Sequence, residues 1–447
     1  MRITLWLSPL LPLAADLCLA GPSLARADDW PQWLGPRRDA VWRESGILRQ
    51  FPAQGPKVLW RAPIGPGYTG PAVAQGRVYV CDRVDGKSGA NNAAAAPPAS
   101  QERILCLEEA TGKVVWQYAY DCAYTMSYPG GPRATPSVAD GRVYTFGAQG
   151  RLCCLEAATG QLLWSRDLKK DHQAKTPIWG FAGHPLVDGQ KVICMVGGEN
   201  SLVVAVDKNT GQDLWHALQA SELGYCPPMI YEAGGRRQLI IFHPAGLASL
   251  DPETGTPFWS QPYSTKVGLT VSTPRKMGDL LLVTSFYNGS MMMRLAADQP
   301  TATLAWQGKS ASEMQTDGLH SIISTPFLHN GHIYGVCSYG QLRCLNAETG
   351  ERIWETLAAT TASGRPVRWA NAFLVQNGEV FFLANELGDL IIARLSPKGY
   401  EELGRAHLLE PTNRDCGRLV VWSHPAFANR CLIARNDREI IRVSLAE

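Results

Sequence analysis

Apolar and polar residues alternate at a period of two along most of the chain, in short runs broken by turn residues. One such run starts at 71–73, Gln75-Gly76 interrupts it, and 77–81 resume it; 104–107 and 114–118 complete a group of four. Alternation punctuated by turn residues predicts strands joined as hairpins. The same four-strand sentence starts again at Thr135, His184, Pro227, Thr273, Thr325, Asn371 and His424. Six of those seven residues are followed by proline, which is tolerated at the first position of a strand. The pattern predicts an all-β chain built from one repeated unit.

A ten-residue phrase marks the third and fourth strands of the unit. It reads LEEATGKVVW at 107–116 and LEAATGQLLW at 155–164, then VDKNTGQDLW at 206–215. It returns as LDPETGTPFW at 250–259 and LNAETGERIW at 345–354. Thr-Gly suits a hairpin turn because glycine takes positive φ at little cost. The tryptophan four residues later is large and planar and is expected to wedge between neighbouring sheets. Two copies are worn: the fifth has Asp298-Gln299-Pro300 in place of Thr-Gly, and the seventh has no tryptophan after Leu395. The step between units is about 48 residues, within the range of repeat architectures.

The last unit stops after its third strand, at Val443-Ser444-Leu445. The segment 57–62 (KVLWRA) resembles a fourth strand, yet no Thr-Gly turn precedes it. If this orphan strand completes the last unit, the chain forms an eight-bladed β-propeller of four-stranded antiparallel blades. Such closure leaves only short, protected sheet edges, whereas a linear array would need caps at both ends. The expected division is a leader at 1–27, an extended arm at 28–56 whose aromatics pack on the body, and the propeller at 57–447.

Composition changes this picture little. The chain has 447 residues, 45% hydrophobic and 18% charged, with a net charge of +2. That fits a folded chain, and the lack of a dense basic patch argues against a nucleic-acid partner. Arg2, the apolar run 5–17 and Ala25-Arg26-Ala27 read as an export signal cleaved after Ala27, placing the mature protein in the periplasm or outside the cell. No other stretch approaches the ~18 apolar residues of a membrane span. Of 12 cysteines, 11 would remain after cleavage, an odd number that argues against a complete disulfide framework. Cys106, Cys154 and Cys344 share one repeat slot that Ala205 and Ser249 fill elsewhere, so they read as small buried side chains.

The repeated A-x-T-G-x-x-x-W phrase resembles the tryptophan-docking repeat of the PQQ-like β-propeller superfamily. That group includes quinoprotein alcohol dehydrogenases and the non-catalytic BamB-like proteins of outer-membrane assembly. The stretches 317–350, 368–373 and 399–435, with Trp422-Ser423-His424-Pro425, resemble exported PQQ-like repeat proteins known mostly from planctomycete genomes. The resemblance implies an eight-bladed fold and, for the enzymes, PQQ held over calcium beside a carboxylate base. Calcium takes six to eight oxygen ligands. The loops before the first strands hold only scattered carboxylates, such as Asp121, Asp171, Glu222, Glu313, Asp317 and Asp415. No Glu-Asn-Asp ligand set can be matched to them. In the resembling dehydrogenases an adjacent cysteine pair forms a ring against the quinone. Here Cys153-Cys154 lies inside a strand, where successive side chains face opposite ways. No C-x-x-C-H, G-x-S-x-G, H-E-x-x-H or Gly-rich phosphate loop occurs; a Ser-His-Asp triad is not fixed in order and stays open.

The turns within blades are short on one face, as at Asp140-Gly141 and Thr159-Gly160. The opposite face carries the longer inter-unit loops 119–134, 167–183, 307–324, 356–370 and 409–423, with an insertion at 83–102 that reads as a mobile linker. Long loops on a rigid scaffold are where function tends to sit. Around the channel mouth on that face the order of units places Tyr68, Arg133, Trp179, His184 and Asp317. His320, Trp369, Asn371, Trp422 and His424 complete the set, with Asp317 and His320 spaced to pair. Aromatic, histidine and arginine groups together suit a small polar molecule, a peptide or an envelope protein. The residues favour a binding or assembly scaffold. The alternatives are a PQQ-dependent oxidoreductase of alcohols or sugars and, behind it, a hydrolase or lyase.

Overall fold

The hairpin signals become eight four-stranded antiparallel sheets in a computed structural model that describes residues 28–85, 100–128, 130–415 and 417–447. The expected leader at 1–27, with Cys18, and the middle of the 83–102 insertion lie outside the described residues. Seven blades use four consecutive strands each, as in Ala72–Ala74, Arg77–Asp85, Ser100–Glu108 and Val114–Asp121. The ends of the expected insertion are strand rather than linker, since Arg83 pairs with Glu102 and Asp85 with Ser100. The eighth blade joins both ends of the chain. Val58–Pro63 lies antiparallel to Glu439–Ser444, with Val58 opposite Val443 and Pro63 opposite Glu439. The chain is an eight-bladed β-propeller.

Adjacent blades are fastened by the repeated phrase. A Cβ on Gly160 of the second blade would come within 2.5 Å of Trp116 of the first. The same holds at 2.6 Å for Gly112 against Trp60, the tryptophan of the closing strand. Each indole lies flat on the glycine of the next blade's Thr-Gly turn, and these glycines also have positive φ. The indole N–H of most of them also donates to a backbone carbonyl of that next blade, although Trp215 Nε1, over Gly255, is buried without a partner. Trp60 reaches Glu109 O at 2.8 Å, Trp116 reaches Ala157 O at 2.9 Å, and Trp306 reaches Ala347 O at 2.9 Å. Where the turn is worn in the fifth blade, Trp259 Nε1 donates instead to Gln238 Oε1 of its own blade, at 2.8 Å. In the seventh blade, Phe51 of the arm lies against Gly404 of the outer strand.

Residues 28–56 run across the end of the channel that carries the short turns. Trp30 and Val73 of the first blade exchange backbone hydrogen bonds at 2.9 Å, and Val138 N of the second donates to Pro31 O at 2.8 Å. Arg38 donates to Pro185 O and Pro228 O of the third and fourth, each at 3.3 Å. Arg275 of the fifth donates back to Arg38 O and Asp39 O, at 3.3 and 2.6 Å. Gln376 N of the seventh donates to Ala40 O at 2.9 Å, and Asn429 N of the eighth donates to Glu44 Oε1 at 2.7 Å. Trp30, Trp33 and Trp42 are buried. One strap thus ties seven blades together and stops the channel at that end.

The ten described cysteines are free and buried. Cys153 and Cys154 face opposite sides of their strand and join different hydrophobic clusters, as the period-two reading expects.

Trp116→Ala should cost about 3–5 kcal/mol in equilibrium denaturation, because it removes a buried indole and leaves a cavity. Gly160→Ala should also destabilise, by at least ~1 kcal/mol, since it needs positive φ and pushes a methyl into the ring. A Gly160→Ala protein as stable as the parent would show that the indole does not rest on this glycine.

Candidate functional site

Seven of the eight inner strands begin next to the proline of their unit, with Ala372 at that position in the seventh, and the residue three positions before it turns toward the channel. In the first four blades this slot holds Tyr68, Arg133, Ala182 and Tyr225. In the last four it holds Val271, Ile323, Trp369 and Trp422. All eight line one cavity of about 210 Å³ at the loop-bearing end of the channel. An eightfold ring sets Arg133 of the second blade across from Ile323 of the sixth. Trp179, Tyr128, Leu269 and Ile322 add to the wall.

The floor comes from the arm. Trp33 stacks on His184 with ring centroids 3.8 Å apart and planes 12° apart, and meets His424 edge-on at 4.8 Å. Its Nε1 donates to Thr273 Oγ1 at 2.9 Å. Thr135 N donates to His184 Nδ1 at 2.8 Å, so that nitrogen carries no proton. Burial, with Arg38 and His424 adding repulsion, holds His184 well below the ordinary histidine range. Burial likewise pushes His424 down to about 4, although its Nδ1 lies 2.6 Å from the Pro425 carbonyl. Both imidazoles are neutral at pH 7. The channel is therefore a cup with one opening.

Four polar or aromatic groups give the cup its character. Arg133 lies 4.9 Å from the centroid of the Tyr68 ring and donates to the carbonyls of Gly131, Tyr128 and Ser127. Burial lowers its pKa, with the neighbouring tyrosines and Glu102 acting against that. Trp422 Nε1 donates at 2.8 Å to Glu386, which Arg418 grips at 3.0 and 3.2 Å from behind. Burial raises the pKa of Glu386 despite those partners. Trp369 has φ of +65°, an outlying conformation for a bulky side chain. It is held there by its N–H to Ser338 O at 2.9 Å and by Arg368, 4.5 Å from its ring centroid. Its buried Nε1 has no partner, and neither has either amide atom of buried Asn371. Strained, unsatisfied groups of this kind concentrate at sites of function.

The structure brings Tyr68, Arg133, Trp179, His184, Trp369, Trp422 and His424 into the cup and sets Asn371 two residues before the lining Phe373. Asp317 and His320 do pair, Nε2 to Oδ1 at 3.3 Å, but outside the cup lining. Asp317 accepts from Lys309 N at 2.5 Å and Ser310 N at 3.1 Å, and His320 Nδ1 lies 3.1 Å from Phe286 O. The pair braces its own loop. Sequence reasoning missed Ala182, Tyr225, Val271 and Ile323, which hold the same slot as Trp422; aligning the units on the prolines that seven of the eight carry finds them. It also missed Trp33 as the floor, since nothing local ties the arm to the channel.

A quinone held over calcium needs several carboxylate oxygens. Among the described residues no aspartate or glutamate lines the cup. Among the described residues no group of three or more His, Cys, Asp or Glu could hold a metal. The donor set does not fit that ion.

The neutral histidines make stability depend on pH with a definite sign. Their folded pKa values lie below the unfolded value, so their contribution is complete above about 6.5 and is lost as pH falls toward 4. For His424 the loss is on the order of 3 kcal/mol. Urea midpoints taken from pH 7 to pH 4 should fall less steeply for His424→Gln than for the parent. Parallel profiles would mean that His424 is not buried neutral.

The sequence family described as outer membrane protein assembly factor BamB matches residues 100–356 and 267–435. Comparison with curated protein sequences gave no match. Among solved structures, BamB from Moraxella catarrhalis is similar at 17% identity and a TM-score of 0.55, over 87% of this chain and 99% of that one. Quinohemoprotein alcohol dehydrogenase from Comamonas testosteroni is similar at 14% identity and a TM-score of 0.60, over 94% and 80%. At these identities the likeness establishes the fold and nothing finer. The family match spans most of the chain and the ring carries the expected blades, so the chain belongs to the PQQ-like repeat family described as outer membrane protein assembly factor BamB.

Proposed function

We propose that this protein is an exported binding scaffold whose cup holds a small molecule, or a side chain presented by a peptide or envelope protein. The observation that carries this reading is the closed cup itself. Every blade contributes a wall residue from one repeat slot, and the arm supplies an aromatic floor. Concave, mostly apolar sites with a few placed polar groups are the usual form of a ligand pocket. The assembly-factor description of the family supports a scaffold at the cell envelope. The leader-like residues 1–27 support a periplasmic or secreted location. Among the described residues no helix is long and apolar enough to cross a membrane.

The catalytic alternative is a PQQ-dependent oxidoreductase, supported by likeness of fold alone; among the described residues no carboxylate base lines the cup for it.

A neutral aromatic probe such as 2-naphthamide should bind one-to-one in saturation-transfer NMR and calorimetry. Trp369→Ala and Trp422→Ala should each weaken binding about tenfold or more, as the loss of a central aromatic contact commonly does, while both proteins stay folded by circular dichroism. Unchanged affinity in both would move the site elsewhere. Stoichiometric uptake of PQQ with calcium, together with dye reduction by alcohols or sugars, would replace the scaffold by the enzyme.

A further inference from the structure

The channel holds three arginines that are in no ion pair among the described residues, though the Glu102 carboxylate acts on Arg133 from a distance. Arg133 stands in the cup wall, and Arg38 and Arg275 lie beneath the Trp33 floor. Among the described residues none of the three is in an ion pair; all three donate to carbonyl oxygens, Arg38 to Gln32 Oε1 as well. Nε of Arg38 and of Arg275 has no partner at all, although both residues are buried. Buried guanidinium groups are ordinarily paired with carboxylates, because an uncompensated charge in low dielectric is costly. Burial lowers Arg38 to about 10, and it lies near enough to His184 to depress that histidine also. A cleft with one sign of charge and low-dielectric walls concentrates ligands of the opposite sign.

The charge is one-sided. Arg133 is the single cation in the ring of wall residues, and the opposite wall is aliphatic: Val271, Ile322 and Ile323. Arg133 spends three N–H groups on loop carbonyls, which leaves two of the five on a guanidinium for a ligand.

We infer that the cup takes a small monoanionic amphiphile, whose carboxylate meets Arg133 and whose apolar body lies across the channel on Val271, Ile322 and Ile323. This rests on the reading of the cup as a ligand site and adds the class of ligand. One acid group is the number the cup can satisfy. A second or third carboxylate would be desolvated against apolar wall, since Arg38 and Arg275 are shut off behind Trp33.

The acid and amide of one ring system separate this inference from the reading beneath it. Calorimetry on the full-length protein at pH 7 should show 2-naphthoate binding at least tenfold tighter than 2-naphthamide, and tighter than the tricarboxylate PQQ. Arg133→Gln should remove most of the advantage of the acid over the amide. Equal affinity for acid and amide in the parent protein overturns the inference while leaving the cup a ligand site. Binding of neither probe sinks the underlying reading. PQQ binding tighter than 2-naphthoate also overturns the inference. The comparison in the parent protein stands even if Arg133→Gln, which gives up the loop carbonyls, fails to fold.

Discussion

The contact of an indole face with a glycine of the next blade is the interaction on which the rest of the ring depends. A sheet in a propeller has no partner above or below it, only neighbours to either side, so stability must come from lateral packing. Trp116 over Gly160 supplies that packing and a hydrogen bond to Ala157 O in one geometry. A side chain on the glycine would lift the ring away and lengthen the bond. The pairing of Thr-Gly with a later tryptophan is therefore one device split between adjacent blades. Ring closure uses the same device, through Trp60 and Gly112.

The arm turns a ring into a container. Closing strands alone would leave an open channel, because an eightfold ring is too wide for its inner strands to fill. The strap brings its own aromatics, and its bonds to blades on opposite sides hold Trp33 on the axis. The histidines at the base of the cup are neutral for the same reason: the strap covers that end, and burial is the largest influence on both. Electrostatics and closure here follow from one piece of chain.

Blade number, strand order and the closing strand were legible because they are periodic: the repeat is written eight times, and an orphan fourth strand has only one vacancy to fill. The cup was legible where its residues are chemically conspicuous. Tyr68, Arg133, Trp369 and Trp422 drew attention as aromatics or cations, while Ala182, Val271 and Ile323 hold the same slot and look like ordinary core. Asp317 and His320 show the opposite error. Their spacing correctly foretold a pair, yet the loop folds over it, and backbone amides from Lys309 and Ser310 take up the carboxylate. Trp33 was legible only as an aromatic that would be buried, because its partners Thr273 and His424 are hundreds of positions away.

Under the proposed function, ligand binding and ring closure are parts of one equilibrium. The cup wall takes one residue from every blade, and its floor belongs to the strap. A ring opened at the seam between Val58–Pro63 and Glu439–Ser444 would lose register between the first and eighth blades, separating Tyr68 from Trp422 and freeing the strap. The opened form then has no complete cup. Whatever binds there binds the closed ring, so occupancy stabilises closure by the ordinary mass-action term, which grows with the logarithm of ligand concentration over Kd. The positive φ of Trp369 and the unpartnered buried amide of Asn371 act in the other direction and cost stability beside the cup. The tryptophan–glycine contacts around the ring supply the surplus that allows such a site to exist.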